Sequence, residues 1–165
     1  MNALIICYSH HHFNTQKIAT VIGNTINAEM KNPTEVNPAD LLSYKLIGFG
    51  SGIYFGKHHR TLLQLVDKMP QNGNQQVFIF STSGQEGKSE RLHKKLRKKL
   101  QTKGYNILGE FNCPGYDTYL FTKLVGGLQK GRPNEQDLKK AQAFAENLKQ
   151  TYNILLLCDT SSPQK

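Results

Sequence analysis

Four apolar runs, each closing in a small or polar loop, constrain this chain more than any other feature of its sequence. Ala3–Tyr8 runs into Ser9–Thr15, and Lys45–Gly50 into the loop that ends at Gly56. Val77–Phe80 runs into Ser81–Gly84, and Tyr105–Phe111 into Asn112–Tyr119. Helical spacing fills the intervals: Ile18, Ala19, Ile22 and Ile26, then Leu62, Leu65 and Val66, then Leu92, Leu96 and Leu100. A last helix opens at Pro133 and runs to about Lys149, with Leu138, Ala141, Phe144, Ala145 and Leu148 inward. Strand and helix signals that alternate in this way predict an α/β fold, a doubly wound parallel sheet with helices on both faces. Five strands fit, the weakest candidate being Thr34–Val36, followed by a short helix from Pro38. A chain of 165 residues suits a single core. We read residues 1–150 as the domain and 151–165 as a tail, with the apolar stretch Ile154–Cys158 packing on the sheet edge or against another molecule and Asp159–Lys165 disordered. Ligands of such sheets bind outside the carboxyl ends of the strands, so the four loops are expected to converge on one edge.

Charge and cysteine content narrow the function classes. The net charge is +9, and eight Lys/Arg against one acid fall between Lys88 and Lys103. With the leucine stripe inward, that helix presents a solvated basic face, a docking patch for an acidic protein partner, or a contact for nucleic acid or an anionic membrane. Few aromatics interleave with the charges, so no nucleic acid is expected. Cys7, Cys113 and Cys158 form no CxxC pair, which argues against a disulfide framework and a zinc site. Apolar runs are too short for a transmembrane segment, and the first residues lack the basic region of a secretory signal, so a cytoplasmic location is expected. There is no GxxxxGK[ST], no nucleophile elbow, and no GxGxxG ahead of a helix.

The first loop carries the clearest chemistry. A strand that stops at Ser9 and re-enters as a helix near Thr15 offers unpaired N–H groups and about half a positive charge to an anion. We assign a phosphate to the backbone of His11, His12, Phe13, Asn14 and Thr15, with the side chains of Ser9, Asn14 and Thr15. The plain structural reading of Asn14 and Thr15 is helix capping. His10, His11 and His12 are surface residues or phosphate contacts. Neighbouring side chains do not converge on one ion, so no metal is assigned.

These residues resemble the flavodoxin family over about residues 3–149. Tyr8-Ser9 and Asn14-Thr15-Gln16-Lys17-Ile18-Ala19 are similar to the family's phosphate loop, here about one residue longer and carrying His-His-His-Phe. Gly50-Ser51-Gly52-Ile53-Tyr54-Phe55-Gly56 resembles the loop over one flavin face, and Phe80-Ser81-Thr82-Ser83-Gly84 the end of the fourth strand. Phe111-Asn112-Cys113-Pro114-Gly115-Tyr116-Asp117-Thr118 resembles the other flavin-facing loop, and Gly126-Gly127-Leu128 through Leu138 the approach to the last helix. The resemblance implies strand order 2-1-3-4-5, one non-covalent FMN and the short-chain form of the fold. It implies cofactor contacts at Ser51, Gly52, Ile53, Tyr54, Phe55, Gly56, Thr82, Ser83, Gly84, Cys113, Pro114, Gly115, Tyr116 and Asp117, with Tyr54, Phe55 and Tyr116 as ring stackers. Lys57, His58, His59 and Arg60 are a solvated rim or contacts for an acidic partner. Two departures stand out: the chain is basic where flavodoxins are usually acidic, and it contains no Trp. The function implied is electron transfer with a redox partner protein, no residue being assigned a catalytic role. The alternative is an FMN-dependent oxidoreductase on the same fold, a quinone reductase or a protoporphyrinogen-oxidase-like enzyme, which the stretch Gly50–His59 resembles. A third class is a binding module that kept the fold without the flavin.

Overall fold

The computed structural model of the chain describes residues 2–10, 13–73, 75–84, 87–116 and 129–160. Its strands are β1 (Ala3–Tyr8), β2 (Glu29–Lys31), β3 (Leu46–Tyr54), the two-residue β4 (Lys57–His58), β5 (Gln76–Ser83) and β6 (Asn106–Pro114). The helices are α1 (Asn14–Ile26), α2 (Arg60–Lys68), α3 (Ser89–Thr102) and α4 (Glu135–Thr160), with a 3-10 turn at Pro38–Ser43. The main sheet is parallel with order β2-β1-β3-β5-β6, and β4 folds back antiparallel on the end of β3. Setting β4 aside, this is the expected order 2-1-3-4-5.

Strand periodicity divides the core into two layers. Ile47, Phe49, Val77 and Ile79 face one side, against Leu62, Leu65 and Val66 of α2 and Leu96 and Leu100 of α3. Leu46, Phe78 and Phe80 face the other, against Ile18 and Ile22 of α1 and Ala141, Ala145 and Leu148 of α4. Gly48 and Gly50 pair with Phe78 and Phe80 across the sheet. A Cβ on Gly50 would lie 2.0 Å from the Phe80 ring, and one on Gly48 2.3 Å from the Phe78 ring. The glycines of this strand are therefore space for the neighbouring rings.

Two boundaries differ from the sequence expectation. The second strand is Glu29–Lys31, because Asn32–Glu35 closes into a turn: Asn32 Oδ1 accepts from the Thr34 N–H and hydroxyl, and the Glu35 N–H reaches the Asn32 carbonyl. Asn-Pro turn chemistry overrides the β preference of Thr34 and Val36. The last helix does not stop near Lys149 but continues to Thr160. Among its described side chains Tyr152 is the last buried one, and beyond it Ile154–Leu157 are exposed instead of packing on the sheet edge. No helix among the described residues is long and apolar enough to cross a membrane.

Candidate functional site

All four loops meet at the carboxyl edge of the sheet, where the alternation of side chains splits the polar residues into two groups. Ser81 and Thr82 are neighbours in β5, and strand geometry sends their side chains to opposite faces.

On the α1 face lies a seam of uncharged donors and acceptors. Thr15 and Thr82 join hydroxyl to hydroxyl at 2.8 Å, both buried. Asn14 Nδ2 donates to the Tyr116 carbonyl at 2.9 Å, and the Gly115 N–H donates to the Ser83 carbonyl at 2.9 Å. A Cβ on Gly115 would stand 3.0 Å from the Thr82 Cβ and 3.2 Å from Asn14 Nδ2, so a side chain here would force the seam to give by a few tenths of an ångström, and glycine lets the loop after β6 lie this close without that strain. Asn14 and Thr15 are thus the first residues inside α1, tying three loops together, rather than its caps. The cap position is Phe13, left-handed at φ 50° and without a side-chain bond to the helix; the Ser9 hydroxyl accepts from the Gln16 N–H instead. The first turn of α1 has no acidic residue. The start of α4 is closed by contrast: Asn134 and Asp137 exchange hydrogen bonds as a capping box, and Arg132 clamps the Asp137 carboxylate. Among the described residues, then, no carboxylate closes the positive end of α1 as Asp137 closes the start of α4.

The loop after β3 is a hairpin hung on one hydroxyl. Ser51 Oγ lies 3.0 Å from His58 Nδ1, accepts from the His59 N–H at 3.0 Å and reaches the Gly52 carbonyl at 2.8 Å. Gly52, Ile53 and Tyr54 are half-buried, whereas Phe55 is 80% exposed at φ 50° and is followed by Gly56 at φ 74°. A large aromatic held outward on a left-handed backbone is unusual, and such conformations concentrate at ligand sites. His59 stacks flat on Tyr8 at 3.8 Å, meets the edge of Tyr54, and accepts from the Thr61 N–H to cap α2. Of the expected basic rim, Lys57 and Arg60 are exposed, but His58 and His59 are structural. Burial, then the charges of Arg60 and His10, lower the His59 pKa.

On the α3 face lies a network that sequence reasoning missed. His93 Nε2 is 2.7 Å from Ser81 Oγ, and its Nδ1 is 2.8 Å from Glu110 Oε2. Arg97 grips the same carboxylate through two nitrogens. Asn112 Nδ2 donates to Ser81 Oγ and to Ser83 Oγ, which links this network to the end of β5, whose Ser83 carbonyl holds the Gly115 N–H. The His58 ring sits 4.9 Å from that of His93. Ser81–His93–Glu110 has the connectivity of a hydrolytic triad, but Ser81 is 0% exposed, so no substrate reaches its hydroxyl. Burial pushes the Glu110 carboxyl up, yet the bonds from His93 and Arg97 outweigh it and hold its pKa at about 2. The signal for His93 was its place beside Leu92 and three residues before Leu96, on the stripe that faces the sheet.

Of the remaining expected residues, Pro114 and Gly115 are buried, and Ser83, Gly84 and Tyr116 are half-buried at the edge. Cys113 is buried in the α1-face core; burial raises the Cys7 thiol to about 12, so Cys7 is not an activated thiol. His11, His12 and Asp117 lie outside the described residues, as do the Gly126–Leu128 stretch and residues 161–165. Among the described residues no group of side chains could hold a metal ion.

The chain is 51% identical over 148 residues to the uncharacterized protein MJ0298 of Methanocaldococcus jannaschii, a match covering 90% of this chain and 98% of that one. Its fold is similar to crystalline oxidised Flavodoxin 2 from Bacillus cereus, with a TM-score of 0.67 and 16% identity over 92% of this chain and 99% of that one. A short-chain flavodoxin associated with a bacterial microcompartment gives a TM-score of 0.68 and 13% identity, over 92% and 99% of the two chains. With the Flavodoxin domain model matching residues 5–119, the chain belongs to the flavodoxin family.

Proposed function

We propose that this protein binds FMN at the carboxyl edge of its sheet and carries electrons to or from a protein partner. The observation that carries the reading is the seam around Gly115, which draws the start of α1, the end of β5 and the loop after β6 into one cradle with no carboxylate in the first turn of α1. Ser9, Asn14 and Thr15, with the backbone of His11–Thr15, would hold the phosphate. Phe55 and Tyr116 would flank the ring, and the backbone of Gly52, Gly84 and Gly115 would approach it. The flavin supplies the redox chemistry; these residues bind it and leave an edge open to exchange. Lys88, at the N-cap of α3, and Lys94, Lys95 and Lys98 on it are exposed and fit an acidic partner surface. A basic surface favours added negative charge, so we expect a less reducing couple than in acidic flavodoxins.

The visible spectrum of the protein, with FMN added, tests the reading: bands near ~375 and ~450 nm should appear and shift on binding. Gly115→Val should weaken FMN on the order of tenfold or more, about 1.4 kcal/mol. Phe55→Ala should weaken it while leaving stability within about 0.5 kcal/mol, because the side chain is exposed. Absence of FMN binding would leave a scaffold without the cofactor. Turnover of NAD(P)H with a quinone and no reductase would make the protein an enzyme rather than a carrier.

A further inference from the structure

His58 is buried to 1% exposure, and its Nε2 has no hydrogen-bond partner among the described residues. An unpaired buried ring nitrogen costs about 1–3 kcal/mol, a cost an apolar side chain of similar size would not carry. Ser51 of β3 holds the His58 Nδ1, and the His93 ring of α3 lies 4.9 Å away. His93 in turn bonds Ser81 of β5 and Glu110 of β6, which Arg97 of α3 grips, and Asn112 of β6 bonds Ser81. Charge on His93 opposes a proton on His58, and Glu110 favours one. Arg97 is committed to Glu110, whose side chain is the partly exposed end of the network. The cluster also underlies both candidate flavin loops, through Ser51 at the head of Gly52–Gly56 and through Asn112 to Ser83.

We propose that His58 is a redox-linked proton site: Nε2 takes up one proton from solvent when an electron is added to a flavin held by the loops that Ser51 and Ser83 anchor. This rests on the FMN reading above. The electron comes from an external one-electron reductant, the proton from water, and no group leaves. In the oxidised protein, burial holds the imidazole neutral, well below its ordinary pKa, with His93 adding to this and Glu110 opposing it. Negative charge arriving at the neighbouring loop acts in the opposite sense, and in a buried site little screening weakens it. The unpaired nitrogen is the place where the proton is accepted, and its uptake in turn favours the reduced cofactor by reciprocity.

The test is nitrogen NMR of the full-length protein with ring-labelled histidine and added FMN, oxidised and then reduced with dithionite at pH 7.5. One imidazole, missing from the spectrum of His58→Gln, should pass from the neutral to the doubly protonated pattern on reduction. The ratio of reduced to oxidised FMN affinity should fall with rising pH by up to about tenfold per unit more in wild type than in His58→Gln. If that variant does not fold, direct assignment of the wild-type ring carries the same test. If FMN fails to bind, the proposed function falls first and takes this inference with it. If FMN binds and is reduced while His58 stays neutral, only the proton site is overturned.

Discussion

The two polar groups at the carboxyl edge are built from opposite materials. The seam on the α1 face uses hydroxyls, an amide and backbone: Thr15, Thr82, Asn14 and Gly115. The network on the α3 face is ionisable almost throughout: His58, His93, Glu110 and Arg97, joined through Ser51 and Ser81. The phosphate proposed for this edge calls for donors that keep their character at any pH, and the seam has them. A site that responds to charge must be able to change its own, and among the described residues of the two groups it is the other face that can. One strand serves both, because Ser81 and Thr82 alternate across it.

The largest effect should follow from removing the centre of the ionisable face. His93→Ala deletes a fully buried ring and leaves the Ser81 hydroxyl and the Glu110–Arg97 pair without their shared partner. We expect a loss of about 3 kcal/mol from the cavity and the unmet hydrogen bonds together, read as a lowered denaturant midpoint at unchanged slope. A loss below about 1 kcal/mol would mean that the network does not hold this face together.

Acid should separate the two faces next. The folded pKa of His58 is depressed, so its contribution is present above its ordinary 6.5 and lost as the pH falls toward the folded value. Glu110 has the same sign in a lower window, from its ordinary 4.5 down to about 2. Thermal unfolding of the protein without FMN should therefore show stability falling already between about pH 6.5 and 5, on the order of 1 kcal/mol per pH unit while only the unfolded state binds the proton. His58→Gln should shrink this upper arm to the smaller part that half-buried His59, whose pKa burial also lowers, contributes with the same sign, and leave the Glu110 arm in place. Equal slopes in both proteins would assign the upper arm to another group.

Most of the frame was legible in the sequence because it rests on periodicity. The apolar runs gave four of the five main strands, and the leucine stripe of α3 faces the sheet as expected. The seam was legible in part: Asn14, Thr15, Thr82 and Gly115 were all singled out, since a strand-to-helix loop and a close-approach glycine leave local marks. Their bonds to one another were not, because hydrogen bonds across 67 and 102 residues leave no local pattern. The ionisable face was hidden by composition. His93 sits in a run dominated by Lys and Arg, Glu110 in an apolar strand, and His58 in a stretch that looked like a solvated rim. Arg97 and Lys99 of the basic run pair with Glu110 and Asp67, and Lys103 reaches the Met69 carbonyl, so less of that run faces outward than its count suggests.

The smallest effect sharpens the comparison most, because it isolates one bond of the seam. Thr15→Val and Thr82→Val are near-isosteric, and each removes one end of the 2.8 Å hydroxyl pair. Either single change strands the other hydroxyl in a buried place and should cost about 1–2 kcal/mol. The double change removes both polar atoms together, so it should cost less than the sum of the singles, with a coupling of about 1 kcal/mol. None of the three variants alters an ionisable group, so all should keep the pH dependence of wild type between about pH 5 and 6.5, the window assigned to His58. A changed pH profile in Thr15→Val would show that the two faces communicate through β5, and the division drawn between Ser81 and Thr82 would then be one of geometry without being one of energetics.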